Sequence, residues 1–345
     1  MHPIELRSDN CAGVAPEILA ALAAADTGSA LAYGGDQHTA ALREQVRELL
    51  DAPEAEVFPV VSGTAANSIG LSAICPPWGS VLCHETAHIL RNEGGATSMF
   101  GGGIQMVGLP GDDFKLQPDS VERGFRSITW GDPHHPQPSV VSLTCPTDFG
   151  TVYTPEEVAA ITAAAVPHRV RVHLDGARLA NALVATGSTA ADLVTRAGVS
   201  VLSLGATKGG ALSTDAIVSL DPAASEQLVY RTKRAGHVAS KMRYQSAQLQ
   251  AYLSEGLWLR LAERANAAMQ VLAEGLRGLG VKFVNEPQAN MLFAMIDSHT
   301  AHDLAASGVL FYEITPEMVR FVTSWQTTDD DAREAVRRMA PVLSR

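Results

Sequence analysis

Six short apolar runs recur through the first two thirds of this chain: Ser80–His84, Ile104–Leu109, Ser139–Thr144, Val170–Asp175, Val199–Gly205 and Ala216–Leu220. Stretches with helical spacing lie between them. A strand that reads as near-continuously apolar is covered on both faces. Strands of that kind alternating with helices select an α/β fold with a mostly parallel sheet. A further run, Val57–Val61, leads straight into Ser62-Gly63-Thr64 and the helix-like AANSIGLSAI. Ahead of it, Pro16–Ala25 reads as a short helix. Thr39–Leu50 reads as another, with Leu42, Val46, Leu49 and Leu50 at helical spacing.

The pattern changes after Ala223. A long helical region reaches to about Gly280, with a break near Gly236. Then come a strand at Val281–Asn285, a strand at Asn290–Ile296, a helix at Thr300–Ser307, a strand at Val319–Trp325 and a helix at Asp329–Leu343. This is the pattern of a smaller C-terminal α/β domain. We expect an N-terminal segment and large domain over 1–245, and a connecting helix and small domain over 246–345. A chain of 345 residues, 46% of them hydrophobic, can fill more than one core. A net charge of -11 argues against nucleic acid or an anionic membrane as a partner. A local pocket can still oppose that sign and take an anion. No apolar stretch is long enough to span a bilayer. The opening MHPIELRSDNCAGV lacks the basic stretch and apolar run of a signal peptide. The four cysteines, Cys11, Cys75, Cys83 and Cys145, form no CxxC pair or metal-ligand spacing. We therefore expect a cytoplasmic protein with reduced thiols.

Four constellations carry chemistry. Ser62-Gly63-Thr64 stands between a strand and a helix. The N–H groups and positive dipole end there would hold a phosphate monoester. An ordinary capped turn has the same look. Asp175 closes the run VRVHLD, at a strand's carboxyl end, where open parallel sheets bind ligands. It could pair with a protonated pyridine nitrogen, with Arg178 facing the same pocket. An Asp capping the next helix, with Arg178 in a surface ion pair, reads the same way. Lys208 follows an apolar strand and precedes Gly209-Gly210. A partly desolvated lysine has a lowered pKa and attacks aldehydes, whereas a lysine in an exposed loop does nothing of the kind. A nucleotide-phosphate lysine is disfavoured, because no GxxxxGK[ST] motif is present. Finally, CHETAHILRNEGGA places His84, Glu85, His88 and Glu93 close together. The order His-Glu-Thr-Ala-His matches a zinc HExxH spacing, but no third ligand is evident and the motif closely follows a strand. We read no metal there. His84 and His88 are taken as cofactor-facing, with His88 stacking on an aromatic ring; a structural histidine is the plainer alternative.

The order of phosphate turn, histidine, strand-end Asp and Lys resembles the aspartate-aminotransferase-like (fold type I) pyridoxal-phosphate enzymes. Within these, the chain resembles the L-threonine aldolases, which overlap the β-eliminating lyases. The resemblance rests on LRSDN at Leu6–Asn10, AYGGD at Ala32–Asp36, SGTAAN at Ser62–Asn67, ETAHI with EGGA, HLDGARLANA at His173–Ala182, then Lys208 and VRFVTSW. It implies that Lys208 carries pyridoxal 5'-phosphate as a Schiff base and that Asp175 partners the pyridine nitrogen. It further implies that His88 stacks on the ring and that Ser62, Gly63, Thr64 and Thr207 sit around the cofactor. Ser8, Arg178 and Arg320 match the groups that hold the substrate carboxylate, and Arg178 counts with the cofactor residues as well. Tyr33 matches a tyrosine supplied across a subunit boundary. Lys233 and Arg243 match phosphate contacts from a neighbouring subunit. Such enzymes are usually homotetramers, dimers of dimers with shared sites.

The implied reaction is cleavage of L-threonine, L-allo-threonine or a related β-hydroxy-α-amino acid such as phenylserine to glycine and an aldehyde. Rival chemistries on the same scaffold are β-elimination, racemisation and transamination; a non-catalytic or nucleotide-binding α/β protein is the rival from another class. Two departures stand out. Many relatives carry a histidine where TCPTDFGTVY has Asp148, so the chain resembles the low-specificity and phenylserine-aldolase subgroup, with Asp148 or His88 as the hydroxyl base. That subgroup often has Asn where Gly209 stands.

Overall fold

The computed structural model describes residues 2–344. Twelve strands are assigned among them: β1 Ile4–Glu5, β2 Glu56–Val60, β3 Gly79–His84, β4 Gln105–Leu109, β5 Gln137–Thr144, β6 Arg171–Gly176, β7 Val201–Leu204, β8 Asp215–Ser219, β9 Met291–Met295, β10 Val309–Leu310, β11 Tyr312–Thr315 and β12 Met318–Val322. Seven form one sheet in the order β2-β8-β7-β6-β5-β3-β4. Strands β4, β3, β5, β6 and β7 pair in parallel, and β8 runs antiparallel to both its neighbours. The apolar runs are these strands; β3, β7 and β8 are buried along their whole length. The expected α/β fold with a mostly parallel sheet is what the chain adopts.

The Gly63–Ile74 helix is buried from Ala65 to its end, because it lies between the sheet and the Ala96–Gly101 and Pro222–Arg234 helices. Small residues at Ala65, Ala66, Ser68, Gly70 and Ala73 allow that close approach. A Cβ at Gly70 would press on Val201.

The C-terminal part is a three-stranded antiparallel sheet, order β11-β12-β9, packed under the Leu257–Gly278 and Asp329–Leu343 helices. The Leu257–Gly278 helix also packs on Leu179–Thr186 of the large sheet's layer, and so bridges both parts. Ile4 and Leu6 pack in the C-terminal core, and β1 pairs with β10. The N-terminal segment therefore crosses the molecule before the large sheet begins. The helical region after Ala223 breaks at Ala235–Met242, around Gly236 with its φ of +80°, and again at Ser254–Gly256. Val281–Asn285 is not a strand as expected: a single bridge, Phe283 to Ala294, joins it to β9. Strand β11 was not expected, because all four of its residues are exposed and no apolar face marks it.

Candidate active site

Five carboxyl ends of the large sheet's strands open on one cavity of about 250 Å³. Strand β2 delivers Ser62, Gly63 and Thr64; β3 leads to His88 and Glu93; β5 to Thr147 and Asp148; β6 to Asp175 and Arg178; β7 to Thr207 and Lys208. This is where open parallel sheets place ligands. A wider groove of about 870 Å³ lies between Thr154 and Arg196, but it gathers no comparable set of groups.

At one end is the helix N-terminus. The Ser62 side chain caps it, accepting from the Ala65 N–H at 3.3 Å. The N–H groups of Gly63 and Thr64 are left for a ligand. A Cβ at Gly63 would meet nothing within 4 Å, so the space before it is open. At the other end Asp175 is buried. Its Oδ1 accepts from the Ala177 N–H at 3.0 Å and its Oδ2 from Asn67 Nδ2 at 2.9 Å. Behind it, the His173 ring is fully buried between the Ser142 and Ser203 hydroxyls, and burial pushes it down to about 4, so it stays neutral.

The Lys208 amine is held below its ordinary range, first by Arg178 beside it and then by burial. The turn that presents it is fixed by Asp215, which accepts from the Ala206 and Thr207 N–H groups at 2.7 and 3.0 Å. The Thr207 hydroxyl donates to the Thr214 carbonyl. Gly209 has a local reason: a Cβ there would overlap the Tyr252 ring, which fills that volume.

His88 Nδ1 lies 2.9 Å from Glu93 Oε1, and this bond raises the pKa of the ring. Asp148 accepts from the His88 backbone N–H at 2.9 Å. Burial pushes the Asp148 carboxyl up to about 6 against the pull of His88. The loop before Tyr153 closes on itself through Thr147 and Thr151.

Arg178 forms a two-point ion pair with buried Asp9, at 2.6 and 3.0 Å. Burial opposes the Asp9 charge, but Arg178 outweighs it and holds that carboxyl below the usual range. Asn290 also donates to Asp9 at 3.1 Å. One edge of the Arg178 guanidinium is thus committed, and Nη1 remains. Arg320 does not line the cavity. It stacks on Tyr312, donates to the Arg7 carbonyl at 3.3 Å, and keeps a buried Nε without a partner among the described residues. A buried donor of that kind fits an anionic ligand, since such groups are otherwise satisfied.

Other expected residues stand apart. The Ser8 side chain accepts from the Asn10 N–H. Tyr33 and Lys233 form a cation–π pair, 4.6 Å apart, on a separate surface. Arg243 donates to the Thr27 and Gly28 carbonyls. His84, expected to face the cofactor, does not. Its Nδ1 meets the Thr86 hydroxyl at 2.7 Å and its Nε2 the Gly111 carbonyl at 3.3 Å, because β3 continues through His84 and turns its ring away. The His-Glu-Thr-Ala-His segment therefore never forms the single helix that would align two ligands. Among the described residues no group of three metal-ligating side chains assembles. Activity should survive exhaustive dialysis against a strong chelator; loss restored by zinc would contradict this reading. Burial pushes the thiols of Cys75, Cys83 and Cys145 up to about 12, so none is a nucleophile. Asp9, Asn67, Asp215 and Asn290 were not singled out from the sequence for the site. The roles of Asp9, Asn67 and Asn290 depend on partners far away along the chain.

Known proteins resemble this chain over nearly its full length. The family described as Beta-eliminating lyase matches residues 5–299. A "Low specificity L-threonine aldolase" from Pseudomonas aeruginosa is 38% identical over 344 residues, covering 99% of each chain. A protein of the same description from a Pseudomonas species is 37% identical over 342 residues, covering 99% of this chain and 98% of its own. The structure of a threonine aldolase from Leishmania major superposes with a TM-score of 0.92 at 27% identity, covering 98% of each chain. An aspartate aminotransferase from Thermus thermophilus shares the fold, with a TM-score of 0.73 at 20% identity over 99% of this chain and 92% of its own.

Proposed function

The chain belongs to the beta-eliminating lyase family, and on that premise we propose that it is a pyridoxal-phosphate-dependent aldehyde-lyase that cleaves β-hydroxy-α-amino acids to glycine and an aldehyde. The observation that carries the reading is the cavity itself: one lysine, one buried strand-end carboxylate, one histidine and an open helix N-terminus converge there. That donor set fits pyridoxal phosphate. Lys208 would hold it covalently, Asp175 would keep its ring nitrogen protonated, His88 would lie against the ring, and Gly63, Thr64, Ser62 and Thr207 would surround its phosphate. When bound, the cofactor supplies the electron sink for the pair left on Cα as the Cα–Cβ bond breaks.

The protein's own groups do the rest. Arg320, with Ser8 and the remaining edge of Arg178, would grip the substrate carboxylate and so fix the orientation of Cα in the site. Asp148 takes the β-hydroxyl proton as the aldehyde leaves. Borohydride treatment of the loaded protein followed by peptide mapping should leave the cofactor's mass on Lys208, and mass on another lysine would contradict the assignment. Arg320→Ala should raise KM strongly and lower kcat, since the arginine both binds and orients. Losing one partner of such a buried pair costs roughly 2–5 kcal/mol. A variant that binds glycine as tightly as its parent would remove Arg320 from the clamp.

We also propose a homotetramer, a dimer of dimers with sites shared between subunits. Its support is chemical. Among the described residues, Lys208 and Arg178 are the only Lys or Arg side chains lining the cavity. Lys208 is needed for the covalent link and Arg178 is paired with Asp9. A dianionic phosphate calls for another cation, and Lys233 or Arg243 of a second copy would provide it. A cytoplasmic location fits the absence of any described helix long and apolar enough to cross a membrane.

A further inference from the structure

The Glu93 side chain is fully buried, while the His88 ring it touches is 38% exposed on the cavity side. Glu93 Oε1 meets two donors: His88 Nδ1 at 2.9 Å and Asn67 Nδ2 at 2.8 Å. The same Asn67 nitrogen reaches Asp175 Oδ2 at 2.9 Å. An amide nitrogen carries two hydrogens, so Asn67 can give one to each carboxylate. That choice leaves Asn67 Oδ1 buried without a partner, and Glu93 Oε2 is likewise without one. A carboxylate only accepts, so Nδ1 of His88 must be the donor in both charge states. Nε2 has no partner among the described residues and is left as the nitrogen that gains and loses a proton.

We infer that Glu93, steadied by Asn67, is a positioning residue that fixes the His88 proton on Nδ1 and leaves Nε2 to exchange protons at the reaction site. Through the shared amide, Asn67 also ties the carboxylate that holds His88 to the carboxylate assigned to the pyridine nitrogen. The charged groups around the ring are Glu93, Asp148 and Asp175 on the acidic side and Lys208 and Arg178 across the cavity. Only Glu93 bonds to a ring nitrogen; Asp148 holds the backbone N–H of the same residue. His88 is thus gripped at its main chain by one carboxylate and at its ring by another. Its catalytic consequence rests on the aldehyde-lyase reading, but the tautomer does not.

The test is nitrogen NMR of the loaded, full-length protein labelled at histidine, with His88 assigned by loss of its signal in His88→Asn. The neutral ring should carry its proton on Nδ1 and should titrate above the ordinary histidine range. Glu93→Gln should return that titration toward the ordinary range and mix the tautomers. It should also lower kcat roughly tenfold with little change in KM, a drop absent when His88→Asn is already present. A parent protein with the proton on Nε2 overturns the inference, whatever Glu93→Gln does. So does a folded Glu93→Gln protein with unchanged His88 titration. Product analysis reports separately on the reaction, so a failure of one claim is distinguishable from a failure of the other.

Discussion

Lys208→Ala is expected to give a folded protein with no measurable turnover and no Schiff-base absorption band. The loss is total because the cavity contains one lysine, and the next cation, Arg178, cannot act as a neutral amine and is paired with Asp9. Nucleophilic attack on an aldehyde requires an uncharged amine. Arg178 and burial supply that by lowering the Lys208 pKa. The fold survives because the Lys208 amine anchors no hydrogen bond among the described residues, while the turn that carries it is held by Asp215 through backbone N–H groups. Absorbance, activity and thermal unfolding of the same preparation separate these effects. Normal turnover in this variant would end the assignment of Lys208.

Asp148→Asn should slow cleavage by about 10²-fold or more, the scale of a lost general base. Two properties suit Asp148 to that task. It lines the cavity, and burial sets its carboxyl near 6, close to working pH. Below about pH 6 it is protonated and cannot take the hydroxyl proton; above it, the carboxylate is available. Cleavage should therefore fall as pH drops through about 6, and Asp148→Asn should abolish that limb. Cofactor binding and exchange of the glycine α-proton should change little, since neither involves a β-hydroxyl. His88 is the competing base. Rapid cleavage by Asp148→Asn, together with collapse in a His88→Asn protein that still holds cofactor, would transfer the role. The amide keeps an acceptor oxygen for the His88 N–H, so the short helix His88–Arg91 should stay in place.

The large sheet was legible because burial on both faces writes itself into the sequence as apolar runs such as Val170–Asp175. The positions of Gly63, Asp175 and Lys208 at strand ends followed from the same reading. Less was legible where structure depends on pairs remote in sequence. Asp9 and Arg178 are separated by 169 positions and Asn67 and Asp175 by 108, and no local pattern announces either bond. Glu93 was noticed beside His88, but only the folded chain joins it to Asn67. Strand β11 lacks a buried face, and Val281–Asn285 looks like a strand while making only one bridge. His84 shows the opposite failure: a spacing with chemical meaning on a helix loses it when β3 runs through the first histidine.

Incubating the purified, cofactor-loaded protein with threonine, allo-threonine and phenylserine, and quantifying every product, tests the central claim most directly. The account requires glycine and the matching aldehyde in equal amounts from at least one of them, with none formed by Lys208→Ala. A keto acid with ammonia, a transaminated product or only the inverted amino acid would show a different reaction on the same scaffold and contradict the account.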